Sequence, residues 1–226
     1  GVTSIGDSAF YQCKGLTGDL VIPDSVTSIG DNAFYRCERL TSVVIPDSVT
    51  SIGNYAFYIC SGLTSLEIGS GVTSIGERAF ESCSGLESIV VLSGNTIYDS
   101  RENCNCIIET STNSLIQGCK NSFIPDSITS IGNYAFSGCK GLTGEMNIPD
   151  SVTSIGEYAF YQCMNLTSVV IPDSVTSSIG SCTFQNCTGL TSVTIVKGVT
   201  SIGDRAFEDC TVLTEINFNA IPDGLD

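Results

Sequence analysis

Thiols, phenols and carboxylates are the groups in this chain with chemistry to offer. Twelve cysteines stand among 226 residues, with no histidine and no tryptophan. Cysteines in such number serve as metal ligands, disulfides, nucleophiles or core residues, and their spacing decides between these. Eight of them, Cys13, Cys37, Cys60, Cys83, Cys139, Cys163, Cys187 and Cys210, recur 23 or 24 residues apart, with one step of 56. Thiols spread so evenly lack zinc-knuckle spacing. They read as one column of small buried side chains, a role free cysteine fills well. Cys104, Cys106, Cys119 and Cys182 fall outside the column. The first three are a candidate disulfide set, and Cys182 is expected to be exposed. The missing histidine excludes Ser–His–Asp and Cys–His catalysis, histidine-ligated metal and a histidine pH switch. No catalytic constellation is visible, and no cofactor is expected.

Five aspartates, Asp24, Asp47, Asp126, Asp150 and Asp173, each follow a proline. Stacked carboxylates of this kind either bond local turn amides or bind calcium as a ladder. The turn role is the favoured one. The phenols are more informative. Tyr11, Tyr35, Tyr58 and Tyr161 directly follow a phenylalanine, and Tyr55, Tyr134 and Tyr158 precede an Ala-Phe pair. Tyrosine combines a large contact area with a polar tip and is enriched in binding hot spots. These seven form the candidate binding surface, against a plainer role as packing between coils. A formal charge of −15 opposes nucleic-acid binding. No apolar run approaches the roughly 18 residues of a membrane span, so no membrane insertion is expected in this segment.

The elements that position these residues come from a repeat, V-T-S-I-G-x-x-A-F-x-x-C-x-x-L-T-S-V-x-I-P-D-S. Leu40/Val43/Ile45, Leu63/Leu66/Ile68 and Leu166/Val169/Ile171 show its L-x-x-L-x-L segment, whose alternating end reads as a short strand. A Pro-Asp-Ser turn follows, then a second extended piece ending in Ile-Gly. Glycine there implies positive φ or close backbone approach. The next residue (Asp7, Asp31, Asn54, Glu77 and their equivalents) has N-cap character, so a short helix or 3-10 turn carrying Ala-Phe inward is expected. Extra residues at Gly18-Asp19-Leu20, Gly144-Glu145-Met146 and Ser177-Ser178 account for the longer units. One unit cannot bury its apolar face alone, and stacked copies make a solenoid.

Eight copies of I-G-x-x-A/T-F-x-x-C-x-x-L cover nearly the whole chain. On these residues it resembles the BspA-like, or Treponema pallidum type, leucine-rich repeat family. The resemblance implies a bacterial cell-surface or secreted location and adhesion to host proteins or neighbouring cells. A protein ligand of extracellular-matrix or cell-surface type is implied with it. The resulting expectation is an α/β repeat solenoid, a leucine-rich-repeat right-handed superhelix of about nine coils. Short parallel strands alternate with short helical or 3-10 turns in a single domain over residues 1–226. The chain starts mid-coil and ends after Ile221-Pro222-Asp223 without an evident polar cap, which reads as a segment of a longer array. The alternative function is a structural spacer that displays another domain.

Residues 92–125 form the irregular coil. Counting back from Pro125 places Thr112-Asn113 in the Ala-Phe columns and Cys119 in the column of Leu40. Cys106–Glu109 and Ser114–Gln117 flank a polar turn over Thr110–Asn113, which reads as a β-hairpin. Such a hairpin is either a tolerated insertion projecting from the solenoid or a ligand-contacting loop. The strand face itself shows Ser42, Val44, Glu67, Val90, Val170, Thr194 and Asn217, a weakly polar set without a strong charge.

Overall fold

The structure, a computed structural model, describes residues 1–219. Each regular coil contributes one longer strand to a parallel sheet. Thr17–Val21, Arg39–Ile45, Ser65–Ile68 and Ser88–Val91 make one sheet, and Gly144–Asn147, Leu166–Ile171, Ser192–Val196 and Glu215–Asn219 make another. The inward positions Val43, Leu66 and Ile89 pair in register and are buried. The extra residues at Gly18 and Gly144 appear as register shifts in otherwise regular pairings. Two-residue Ser-Ile strands form the second wall, as in Ser28–Ile29 beside Ser51–Ile52. With the irregular coil, these make a solenoid of about nine turns. The Ile221-Pro222-Asp223 stretch lies outside the described residues.

The third wall departs from expectation. No helix forms at the Ala-Phe segments; among the described residues the helical element is the 3-10 turn Arg101–Asn103 in the irregular coil. The reason lies in how amides are shared. In the first coil the amides of Ala9, Tyr11 and Cys13 bond back to the carbonyls of Gly6, Ser8 and Phe10 at 3.0–3.2 Å. The alternate amides of Ser8, Phe10 and Gln12 instead bond sideways to Asp31, Ala33 and Tyr35 of the next coil at 2.7–2.8 Å. A helix would claim every amide for itself, whereas this chain of turns gives half of them to its neighbour. The geometry requires a left-handed residue twice per turn, and non-glycine residues supply it: Ser8 and Gln12, Asn32 and Arg36, Tyr55 and Ile59.

The residues read as helix caps have a different task for the same reason. Oδ1 of Asp7 accepts from the Asp31 amide at 2.8 Å, Asp31 from the Asn54 amide at 2.7 Å, and Asn54 from the Glu77 amide at 2.8 Å. The glycines before Asp31, Asn54 and Glu77 are selected by close approach to the preceding coil: a Cβ on Gly53 would stand 2.5 Å from the Asp31 amide nitrogen. Threonines join the coils in the same way, Thr50 and Thr73 donating to Thr27 and Thr50 carbonyls at 3.1 Å. Repetition of hydroxyls and carboxylates here is inter-coil bonding.

Phe10, Phe34, Phe57 and Phe80 stack at 5.0–5.4 Å with nearly parallel planes, as do Phe136, Phe160, Phe184 and Phe207 at 5.1–5.3 Å. Beside each ring run lie the column cysteines. Cys37, Cys60 and Cys83 direct their thiols to the carbonyls of Phe10, Phe34 and Phe57 at 3.2 Å, and Cys163 and Cys187 do so to Phe136 and Phe160. A column of alanine would fill similar space but would leave these carbonyls without the second donor. Burial pushes the thiol of Cys37 up to about 11 and those of Cys83 and Cys187 up to about 12.

Candidate functional site

The irregular coil organises the site. Its expected hairpin forms, with Ile108 opposite Leu115 and Glu109 opposite Ser114. It does not project as an inserted loop. Ser114–Gln117 continues the second wall by pairing with Ser130–Ile131, and Tyr98–Asp99 pairs on the other side of Ile107–Glu109. Ile107 and Cys119 join the core before the hairpin, and Cys104, Cys106, Ile108 and Leu115 join the core after it. The coil is therefore a partition between two cores.

The column assignment from Pro125 is also corrected. Gly118, not Asn113, takes the phenylalanine place, its amide bonding the Ala135 carbonyl at 2.8 Å as Phe10 bonds Ala33. A Cβ on Gly118 would lie inside the Phe136 ring. The hairpin consumes the residues that elsewhere build the turn wall, so this coil stops short there. The coils on either side then meet directly: the Ser82 amide bonds the Ser137 carbonyl at 3.1 Å, the same bond that Gln12 makes to Tyr35.

That bypass brings together tyrosines separated in sequence. Tyr11, Tyr35 and Tyr58 stack at 4.7 and 5.1 Å, and Tyr134 and Tyr158 stack at 5.0 Å. Tyr55 and Tyr158 each make an edge contact with the tyrosine three residues on, Tyr58 and Tyr161. The two groups are joined by Arg78, which sequence reasoning missed. Its guanidinium lies 4.4 Å from the Tyr134 centroid, 5.1 Å from Tyr55 and 5.4 Å from Tyr58. Arg78 also pairs with Glu81, which is only 2% exposed and accepts from the Ser137 hydroxyl at 2.7 Å. Burial works against the Arg78 cation, but the bond to Glu81 outweighs it and holds the guanidinium charged. Burial raises the phenols of Tyr58 and Tyr134, keeping both as neutral hydroxyls.

Between Tyr58 and Tyr161 the ridge opens. Glu81 and Ser137 occupy the column that elsewhere carries tyrosine, and Ser82 stands where Gln12 and Gln162 stand in other coils. The result is a cleft of about 450 Å³ walled by Tyr58, Tyr134, Tyr158 and Tyr161, with Arg78 and Glu81 at its side. Of the seven tyrosines singled out from sequence, five border this cleft or the Arg78 cluster. Tyr11 and Tyr35 continue the ridge toward the N-terminal coil, with Tyr11 45% exposed. Reading Arg78 and Tyr134 as one column supplies the signal for the cluster, provided the intervening coil is known to be absent there.

The other candidates resolve differently. Cys104, Cys106 and Cys119 do converge, as free buried thiols. Cys106 Sγ lies 3.3 Å from the Cys104 carbonyl, and Cys119 Sγ lies 3.6 Å from Ser122 Oγ. The neighbouring Cys106 holds the Cys104 thiol below its ordinary value, whereas burial raises Cys106 and Cys119. Cys182 is buried, at 5% exposure, rather than exposed, because its thiol packs against the Tyr158 hydroxyl. Asp47 and Asp173 bond the amides of Ser70 and Lys197 in the next coil at 2.6 and 2.9 Å. Among the described residues no group of three or more Cys, Asp or Glu is placed to hold a metal ion. On the strand face Val44, Val90 and Val170 are exposed, as read from the alternation. Among the described residues no helix is long and apolar enough to cross a membrane.

Parallel strands, laddered turns and stacked columns define a leucine-rich-repeat solenoid. The BspA type leucine rich repeat region model matches residues 3–115 and 107–223 with six copies, so the chain belongs to that family. A leucine-rich repeat protein from Eubacterium ventriosum is similar at 27% identity and a TM-score of 0.70, over 95% of this chain and 70% of that one. A leucine rich cell surface protein from Faecalibacterium prausnitzii shows 27% identity and a TM-score of 0.50, over 98% of this chain and 84% of that one. The Treponema pallidum leucine-rich repeat protein shows 26% identity and a TM-score of 0.50, over 93% and 82%. No curated protein matches the chain.

Proposed function

We propose that this chain is a non-catalytic protein-binding module of a bacterial cell-surface or secreted protein, recognising proteins of a host or of neighbouring cells. The observation that carries the reading is the tyrosine ridge with its central cleft, where five phenols, one guanidinium and one carboxylate from four coils share a rigid frame. Tyrosine and arginine are the residues on which protein interfaces concentrate their binding energy. The frame costs little to organise on binding, because stacked coils already fix every backbone turn. The similarity to a leucine rich cell surface protein supports the location.

The test is an array of extracellular-matrix and cell-surface proteins probed with the purified chain, then with Tyr58→Ala and Tyr161→Ala. Binding that falls at least tenfold in both variants and survives Val44→Thr on the strand face supports the ridge. A chain that binds nothing on the array returns the spacer role. Binding that follows Val44 instead moves the interface to the sheet.

A further inference from the structure

Two tyrosine corners stand in the same columns of different coils. Tyr55 and Tyr58 have centroids 5.6 Å apart with planes at 78°, and Tyr158 and Tyr161 have centroids 5.7 Å apart at 74°. The first corner is occupied by the chain itself, since the Arg78 guanidinium lies over both rings. In the next coil after the second corner, the position equivalent to Arg78 is Cys182, whose short side chain reaches only the Tyr158 hydroxyl. Arg205, one coil further, is engaged with Glu208 at 4.0 Å. Tyr134 covers the near face of Tyr158 at 5.0 Å, so it is Tyr161 that presents an unstacked ring face to the cleft, beside the small residue Ser82.

Charge selects the occupant. Arg78 and Glu81 balance each other in their ion pair, which leaves the carboxylates of Glu77 and Glu157 acting on Tyr134 and Tyr158. The chain as a whole carries −15, which draws basic partners. A planar cation stacks on tyrosine faces and donates to phenol and amide oxygens. Arginine does both, whereas lysine presents a point charge without a stacking plane. We propose that the cleft between Tyr58 and Tyr161 receives an arginine side chain from a basic segment of the protein partner, its guanidinium laid on the cleft face of Tyr161, on which no ring of the described residues stacks. The proposal rests on the protein-binding reading above and names the group that this site selects.

The experiment titrates the purified chain with acetylated, amidated Gly-X-Gly tripeptides followed by NMR, where X is arginine, lysine, phenylalanine or citrulline. Citrulline keeps the shape of arginine and removes its charge. Arginine is expected to bind at least tenfold more tightly than citrulline, a difference of about 1.4 kcal/mol, and to shift the Tyr161 ring signals. Ser82→Gln places in the cleft the side chain that the same left-handed position carries at Gln12 and Gln162. This variant should abolish arginine binding while leaving the melting temperature unchanged, and Val170→Thr on the strand face should bind as the parent does. Equal affinities for arginine and citrulline, tighter binding of phenylalanine, or arginine binding that survives Ser82→Gln overturns the proposal. An array partner whose affinity is indifferent to Ser82→Gln overturns it too, while leaving the protein-binding reading in place.

Discussion

Raising the pH in the presence of a reductant tests the cysteine column. The thiols of Cys37, Cys60, Cys83 and Cys187 sit away from water and donate to phenylalanine carbonyls, so the folded state holds their protons more tightly than the unfolded chain does. The folded value lies above the free-thiol value of 9.0, reaching about 11 for Cys37 and about 12 for Cys83 and Cys187. The sign follows directly. Below pH 9 both states are protonated and stability is full. Above it the unfolded chain loses protons that the folded chain keeps, so stability falls until the folded thiols titrate in turn. At pH 10, one unit above the free value, each such thiol costs about 1.4 kcal/mol. These three together therefore cost about 4 kcal/mol. Burial drives Cys60, Cys139 and Cys163 in the same direction. A loss of this size is a large share of the roughly 5–15 kcal/mol available to a domain.

The assay is guanidinium denaturation of the reduced protein at pH 7, 8, 9 and 10. The midpoint should hold to pH 8 and drop steeply between 9 and 10. A variant with alanine at Cys37, Cys83 and Cys187 starts less stable but should lose about 4 kcal/mol less over the same interval. A midpoint that stays level through pH 10 refutes the reasoning. So does an equal alkaline loss in the triple variant, which would assign the effect to buried phenols such as Tyr58 and Tyr98.

Three further outcomes follow from the same geometry. Gly118→Ala drives a methyl into the Phe136 ring and should destabilise by about 1–3 kcal/mol, read from urea denaturation; an unchanged midpoint would show that the partition can relax. Asp31→Ala removes the acceptor for the Asn54 amide and should cost about 1 kcal/mol, whereas Asp31→Asn, which keeps Oδ1, should cost distinctly less. We also propose that oxidative refolding with a small-molecule disulfide pairs two of Cys104, Cys106 and Cys119 while the column thiols stay reduced; peptide mapping that finds the bridge in the column contradicts this.

How much of this was legible follows the two kinds of bonding in the repeat. Side-chain columns are periodic, so Phe57, Cys60, Leu63 and Leu66 declared a solenoid and an interior by spacing alone. Backbone bonds between coils leave no such trace. Asp31 before Ala33-Phe34 has the composition of a helix cap, and only the sideways bonds of Asn32 and Phe34 to Asn54 and Ala56 show why no helix forms. Cap chemistry and ladder chemistry use the same residue types, because both satisfy an amide that its own segment leaves free. Composition cannot separate them, and the alternation of amides does.

The tyrosines were legible as a set but not as a site. Tyr55 and Tyr134 are 79 residues apart, with an irregular coil between them. An intact coil there would separate Arg78 from Tyr134 by an additional rung, about 4.8 Å at strand spacing. Because Gly118 ends the turn wall early, Ser82 bonds Ser137 and that rung is missing. That omission closes Arg78 onto Tyr134, while Glu81 and Ser137, now adjacent in the column that elsewhere carries tyrosine, open the cleft beside Tyr161. The hairpin thus sets the geometry of the tyrosine cluster from the adjoining second wall, where Glu109 and Gln117 line one pocket with Arg78 and Tyr134. An insertion that lengthens the wall after Gly118 is therefore expected to act on the cleft as strongly as a substitution within it.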